Sequence, residues 1–73
     1  MNKLAQYLTD RKITQAEFAA RIGVTQAMVS RLAKGKTQPS PEVAVRIERE
    51  TDGIAPFHAW PAYSAFADDR GAA

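Results

Sequence analysis

The residues with the greatest potential for chemistry are polar side chains on one side of a predicted helix that runs from Gln26 to about Lys34. At 3.6 residues per turn, Val29 and Leu32 form its inward apolar stripe, so the other side is free to meet a partner. The outward set comprises Gln26, Ala27, Ser30, Arg31 and Lys34. Its amide, hydroxyl and cationic groups form hydrogen bonds and ion pairs. The pattern therefore indicates binding.

Catalytic and metal sites lack their components elsewhere in the chain. His58 is the only histidine and there is no cysteine, so zinc has no second nitrogen or thiolate ligand. Glu48 and Glu50 fall on different sides of one predicted helix, and no serine or threonine is placed beside a histidine. We expect no enzyme activity, no metal and no cofactor, with His58 an ordinary residue of the C-terminal segment.

The net charge of +2 is unevenly distributed. Residues 1–40 carry seven basic and two acidic side chains, a balance of +5, whereas residues 41–73 carry three and six, a balance of −3. A one-sided positive field suits a polyanion, because cationic side chains contact phosphates and release their counterions. Such a bias also arises by chance in ordinary domains, so it supports nucleic-acid binding only together with other features.

Length and composition favour one small domain. A chain of 73 residues has no room for a second core. No apolar run approaches the length of a membrane span, and neither cysteine pairs nor a secretory N-terminal pattern is present. We therefore expect a cytoplasmic protein without a membrane partner.

Two outer helices are predicted to brace the central segment. Asn2 caps a first helix that ends near Arg11 or Lys12, and Ser40 followed by Pro41 starts a fourth helix that ends near Thr51. Their inward positions are Leu4, Tyr7, Leu8, Val43, Ala44 and Ile47. On the outer side of the fourth helix, we expect Glu42, Arg46 and Glu50 to form a solvated ladder.

The central segment, Thr14 to Gly35, contains two short helices and a tight turn. Thr14 and Glu17 form a capping box that starts the second helix. Gly23 ends this helix by accepting a left-handed conformation, and Thr25 caps the third helix, which Gly35 ends. Phe18, Ala19 and Ile22 are the predicted inward residues of the second helix.

The C-terminal segment, residues 54–66, contains two prolines and four of the six aromatic residues. Because Pro61 interrupts a helix, we expect a turn or short helix there. Phe57, Trp60 and Tyr63 either close the helical core or contact a second subunit. Residues 1–66 are predicted to form the domain, and residues 67–73 a flexible tail.

The central segment resembles the helix-turn-helix of phage repressor and Cro proteins. Ala19, Gly23, Val29 and Leu32 occupy the small, turn and apolar positions of that motif, and the segment ends at Lys34-Gly35-Lys36. The resemblance implies an all-α fold, a small four- to five-helix bundle of the lambda-repressor-like type with a central helix-turn-helix. An ordinary helical packing unit without a ligand is the alternative.

Residues 40–63, SPEVAVRIERETDGIAPFHAWPAY, also resemble the YdaS-like branch of this family. That branch contains small Cro-type proteins of prophage regions, which are often described as antitoxins. The resemblance implies an alternative function, in which the aromatic segment neutralises a protein partner.

The resemblance also implies roles for individual residues. The second helix of the motif enters the major groove N-terminus first, so its outward residues contact base edges. Glutamine pairs with adenine, arginine with guanine, and an alanine methyl contacts the thymine methyl. The predicted base-readout residues are Gln26, Ala27, Ser30 and Arg31. Arg31 also fits the role of an ordinary solvated helix residue.

Residues around the third helix are predicted to hold DNA phosphates, partly through helix N-terminal amides. They are Gln15, Thr25, Lys34, Lys36 and Thr37. One small module contacts few base pairs, so the resemblance further implies a homodimer on a palindromic site in double-stranded DNA. The aromatic segment with Phe57, Trp60 and Tyr63 is the predicted dimer contact if it does not close the core.

Overall fold

The computed structural model describes residues 2–65. They form α1 (Lys3–Arg11), α2 (Gln15–Ile22), α3 (Gln26–Ala33) and α4 (Pro41–Glu50), followed by two short 3-10 helices, Phe57–Ala59 and Pro61–Tyr63. Within these residues there is no β-strand, so the predicted all-α fold is confirmed. Phe66 and the predicted flexible tail, residues 67–73, lie outside the described residues.

Every α-helix begins at the cap residue that the sequence predicted. The side-chain oxygens of Asn2, Thr14, Thr25 and Ser40 accept from the amide three residues later, at 2.9, 3.0, 3.1 and 3.3 Å respectively. Glu17 completes the capping box by accepting from the Thr14 amide. A cap of this kind stabilises a helix by about 1 kcal/mol, so the helix boundaries are determined locally.

One core lies between the four helices. Leu4, Phe18, Val29, Leu32 and Ile47 are fully buried, one or more from each helix. The remaining buried apolar residues are Tyr7, Leu8, Ala19, Ile22, Ala33, Ala44, Ala55 and Trp60. The predicted inward stripes are therefore confirmed, except that Val43 is only half-buried against the core.

The turn between α2 and α3 depends on Gly23. This residue has φ of +77°, a left-handed conformation that costs a residue with a side chain more than it costs glycine. Its amide donates to the oxygen of Ala19 at 2.9 Å, and the Val24 amide donates to the same oxygen at 3.0 Å. The chain thus turns sharply at this point, and α3 packs against α2.

The C-terminal segment packs onto α4 through two side chains of that helix. The buried Thr51 hydroxyl donates to the Ile47 oxygen at 2.8 Å and accepts from the Ala55 amide at 3.0 Å. One carboxylate oxygen of Glu48 accepts from the Phe57 amide at 2.6 Å. These bonds direct the chain back along α4, and Trp60 enters the core with 4% of its surface exposed.

The predicted solvated ladder on α4 is wrong in part. Arg46 does pair with Glu42, at 2.7 Å, but it also donates to the main-chain oxygen of Ile22. Glu50 pairs with Arg21 of α2 instead of with Arg46, at 3.6 Å. The reason is that α4 packs beside α2. Side chains at this edge of α4 therefore bind the charged groups and the unpaired carbonyls of α2 as well as water.

Candidate nucleic-acid interface

The outward side of α3 carries the four predicted base-readout residues. Gln26, Ala27 and Arg31 are exposed and Ser30 is half-buried. Val29 and Leu32 on the opposite side are fully buried, which fixes the rotation of the helix about its axis. The exposed residues therefore form one surface that a groove of DNA can approach.

At the N-terminus of α3, the first two main-chain amides are not bound by the side-chain cap. Thr25 accepts from the Met28 amide, so the main-chain N–H groups of Gln26 and Ala27 have no partner within the helix. Together with the helix dipole, such amides attract anions. Gln26 stands at the first position of the helix, so its side chain and the amides project from the same end.

The predicted phosphate-contact residues flank α3 at both ends. Thr25, Lys34 and Lys36 are exposed, whereas Gln15 and Thr37 are half-buried. Gly35 has φ of +75°, and the Lys36 amide donates back to the Arg31 oxygen at 3.0 Å. This turn ends α3 and leaves Lys36 exposed at the start of the connection to α4.

The electrostatic character of this region follows from its composition. Residues 25–37 contain Arg31, Lys34 and Lys36 and no carboxylate. The nearest acidic residue before it in the chain, Glu17, is held by the capping box with Thr14. The α3 face and the turn after it are therefore positive, as a phosphate backbone requires.

Two side chains from the outer helices bind main-chain oxygens at the ends of α2 and α3. Asn2 of the α1 cap donates through Nδ2 to the Leu32 oxygen near the end of α3. Arg46 of α4 donates through Nη1 to the Ile22 oxygen at 3.2 Å, at the end of α2. The sequence indicated Asn2 only as a cap and Arg46 only as a solvated residue, because both contacts join residues 24 or more positions apart.

The connection after α3 is fastened by the C-terminal segment. The Tyr63 hydroxyl donates to the Pro39 oxygen at 2.7 Å, and the Ala62 amide donates to Gln38 Oε1 at 3.4 Å. Sequence patterns contain no signal for these two bonds, since they depend on where the 3-10 helices dock. The loop that carries Lys36 and Thr37 is thus tied at its far end to the aromatic segment.

The three aromatic residues of that segment have different environments. Trp60 lies in the core, while Phe57 and Tyr63 are half-buried and stack on each other with ring centroids 4.5 Å apart. The side chain of Trp60 therefore lies inside the core of its own chain. His58 is half-buried. No group of three or more potential metal ligands occurs in residues 2–65.

A cleft of about 450 Å³ separates the end of α2 from α4. Its walls include Arg21, Gly23, Arg46, Arg49 and Glu50. Three arginines and one carboxylate do not form the arrangement of nucleophile, base and oxyanion donors that catalysis needs.

None of the described helices is both long and apolar enough to cross a membrane.

Comparisons with known proteins agree with this geometry. The model of the helix-turn-helix family matches residues 4–54, which cover the four helices except Lys3, the first residue of α1. The chain is also 42% identical to the regulatory protein Cro of Pseudomonas phage D3 over 60 residues, which cover 74% of this chain and 82% of that protein. No solved structure gives a significant match. The resemblance of residues 40–63 to the YdaS-like branch stays a prediction.

Proposed function

This chain belongs to the helix-turn-helix family as a DNA-binding regulator of transcription of the Cro type, and we propose that it recognises one DNA sequence by placing α3 in the major groove. The observation that carries the proposal is the division of α3 into two sides. Val29 and Leu32 are fully buried, and Gln26, Ala27 and Arg31 are exposed. A helix held in this way offers a rigid set of hydrogen-bonding groups to base edges.

Base readout is assigned to Gln26, Ala27, Ser30 and Arg31. Gln26 and Ala27 enter first because the N-terminus of a recognition helix leads into the groove. Gln26 matches the N6 and N7 groups of adenine, Arg31 matches O6 and N7 of guanine, and Ala27 can contact a thymine methyl. Ser30 is half-buried and contributes from the middle of the helix.

Phosphate contacts are assigned to residues on either side of this helix: Gln15, Thr25, Lys34, Lys36 and Thr37. The Thr25 oxygen already accepts from Met28, so its hydroxyl hydrogen remains to donate to a phosphate. Lys34 and Lys36 act through charge, because both are exposed and lie in a region without carboxylates. These contacts set the register of the protein on DNA and contribute little to sequence preference.

We further propose that the protein binds a palindromic operator as a homodimer and acts as a repressor. One α3 helix reads only one half-site, and two copies related by a two-fold axis read two half-sites about 34–36 Å apart. Val45 and Ile54 are the large apolar residues that stay exposed in the described part of the chain, at 37% and 43%. We assign the dimer contact to the outer surface that includes Ile54, at the start of the C-terminal segment.

The antitoxin alternative has less support in the geometry. It requires the aromatic segment to bind a different protein, but Trp60 is inserted into the core and Tyr63 is bonded to Pro39. Releasing the segment would expose the core of a small domain, which has little stability in reserve. We therefore place the aromatic segment with the DNA-binding unit.

The test is selection of bound sequences from a random DNA pool, repeated at two salt concentrations. We expect a palindromic consensus, with half-sites spaced by one turn of DNA, that is retained at the higher salt. Binding without a consensus that disappears as salt rises would reduce the function to general affinity for polyanions. A consensus with a single half-site would refute the dimer and leave base readout in place.

A further inference from the structure

We propose that Arg46 is a positioning residue for DNA recognition, which acts through the carbonyl of Ile22 to set the angle between α2 and α3. The inference rests on the proposed function of α3. Arg46 lies on α4 and contributes nothing to the α3 surface, so we place its effect on sequence preference at the turn between α2 and α3, where it binds the Ile22 oxygen. Three observations carry the proposal.

The first observation is the place where the guanidinium binds. Nη1 donates to the Ile22 oxygen at 3.2 Å, and Ile22 is the last residue of α2. The last carbonyls of a helix have no partner within it and form the negative end of the helix dipole. A cation there satisfies one of these carbonyls at the point where the chain turns into α3.

The second observation is that the guanidinium is held in place by its own helix. Nη2 donates to Glu42 Oε1 at 2.7 Å, one turn earlier on α4. The planar guanidinium directs two of its nitrogens, Nη1 and Nη2, at two acceptors at once. Arg46 therefore links α4 to the end of α2 with a defined direction, although its side chain is 47% exposed.

The third observation is the fit between Arg46 and Gly23. A Cβ atom added to Gly23 would lie 3.3 Å from Nη1, closer than ordinary van der Waals contact. Glycine at this position thus serves two needs, the left-handed turn with φ of +77° and the approach of the guanidinium. The turn and the arginine form one unit, and movement of either one changes where α3 starts.

Arg49 provides a matched control. It lies on the same helix and borders the same cleft, but its side chain makes no hydrogen bond or ion pair within residues 2–65. Replacing Arg49 by alanine removes the same charge without touching the Ile22 carbonyl. Any general loss of positive charge therefore affects both variants in the same way.

The experiment compares R46A, R46K and R49A for binding to the selected DNA sequence and to a scrambled duplex of equal length, at a temperature where each is folded. In R46A, we expect the ratio of the two affinities to fall about fivefold, since misalignment weakens at least one base contact. R49A keeps the ratio of the wild-type protein. R46K, with one nitrogen in place of the fork, gives an intermediate ratio.

Each outcome decides the proposal. Equal ratios in R46A and R49A would overturn it. Loss of affinity in R46A that affects both duplexes alike would also overturn it, because that result reports a stabilising role or a direct phosphate contact and not the position of α3. If R46A does not fold, R46K is compared with R49K, and equal ratios again overturn the proposal. Failure of the proposed function is distinct, because the wild-type protein itself would then show no preference between the duplexes.

A double-mutant cycle with Gly23 supplies a readout of the linkage itself. G23A in the wild-type background meets both the left-handed backbone and the guanidinium, whereas in R46A it meets only the backbone. We expect the fall in specific affinity caused by G23A to be smaller in the R46A background. Additive effects of the two substitutions would contradict a shared unit.

Discussion

The hydroxyl of Tyr63 donates to the main-chain oxygen of Pro39 at 2.7 Å and so joins the last described helix to the connection between α3 and α4. Lys36 and Thr37, which are assigned to phosphate contact, lie three and two residues before Pro39. The aromatic segment thus supports the loop between α3 and α4 as well as the core. The loop that carries Lys36, a proposed phosphate contact, is in this way bonded to a residue far along the chain.

Replacing Tyr63 by phenylalanine removes this hydrogen bond and keeps the ring that stacks on Phe57. We expect a loss of about 0.5–1.5 kcal/mol in the free energy of unfolding, measured by urea denaturation. Affinity for specific and scrambled DNA should fall together, by about threefold or less, because the loop contributes phosphate contacts only. A change in sequence preference in this variant would contradict the division of roles.

Replacing Gln26 or Arg31 by alanine tests base readout. Each substitution removes a side chain that can pair with a base at two points, so each should cost about 1–3 kcal/mol of discrimination at one position of the operator. The measurement is competition binding against duplexes mutated one base pair at a time. An unchanged preference at every position would remove the residue concerned from the readout surface.

Replacing Lys36 by alanine tests the phosphate assignment. The substitution should weaken binding to all duplexes alike and lower the slope of log affinity against log salt by about 1. Lys3 is exposed on α1 and has no assigned contact, so K3A is the control for a general loss of charge. Equal salt slopes for K36A and K3A would show that Lys36 makes no direct phosphate contact.

Replacing Thr51 by valine tests how the C-terminal segment is attached. Valine is close in shape but leaves the buried Ala55 amide without its acceptor, so the free energy of unfolding should fall by about 1–3 kcal/mol. The Ile47 oxygen keeps its bond from the Thr51 amide at 3.0 Å. T51S retains the hydroxyl and should lose much less stability. Thermal unfolding followed by the fluorescence of Trp60 measures both variants.

The helices of this protein are determined by local chemistry. Each cap residue acts on an amide only three positions away, and each apolar stripe follows the helical period, so the boundaries and the buried faces could be predicted from the sequence. Gly23 falls in the same class, because its positive φ is a property of the backbone at that residue. The outward position of Gln26, Ala27 and Arg31 then follows from the burial of Val29 and Leu32.

The contacts that brace the DNA-binding unit have a different origin. Asn2 with Leu32, Arg46 with Ile22 and Tyr63 with Pro39 join residues between 24 and 30 positions apart. Each pairs a side chain with a main-chain carbonyl, and every residue has a carbonyl, so residue types carry no sign of the partner. The sequence predicted Arg46 and Glu50 as part of one ladder because it shows their spacing along α4. It does not show that α2 packs beside that side of α4.

The sequence by itself therefore determined the four helices, the turn and the side of α3 that faces outward, since these depend on groups within one or two helical turns. Only the tertiary structure decided that Trp60 closes the core, that Thr51 and Glu48 direct the chain back along α4, and that the ends of α2 and α3 are held from outside. The burial of Trp60 depends on the apolar surface that the packed helices leave uncovered, and the other features depend on which carbonyls and amides stay unpaired after packing.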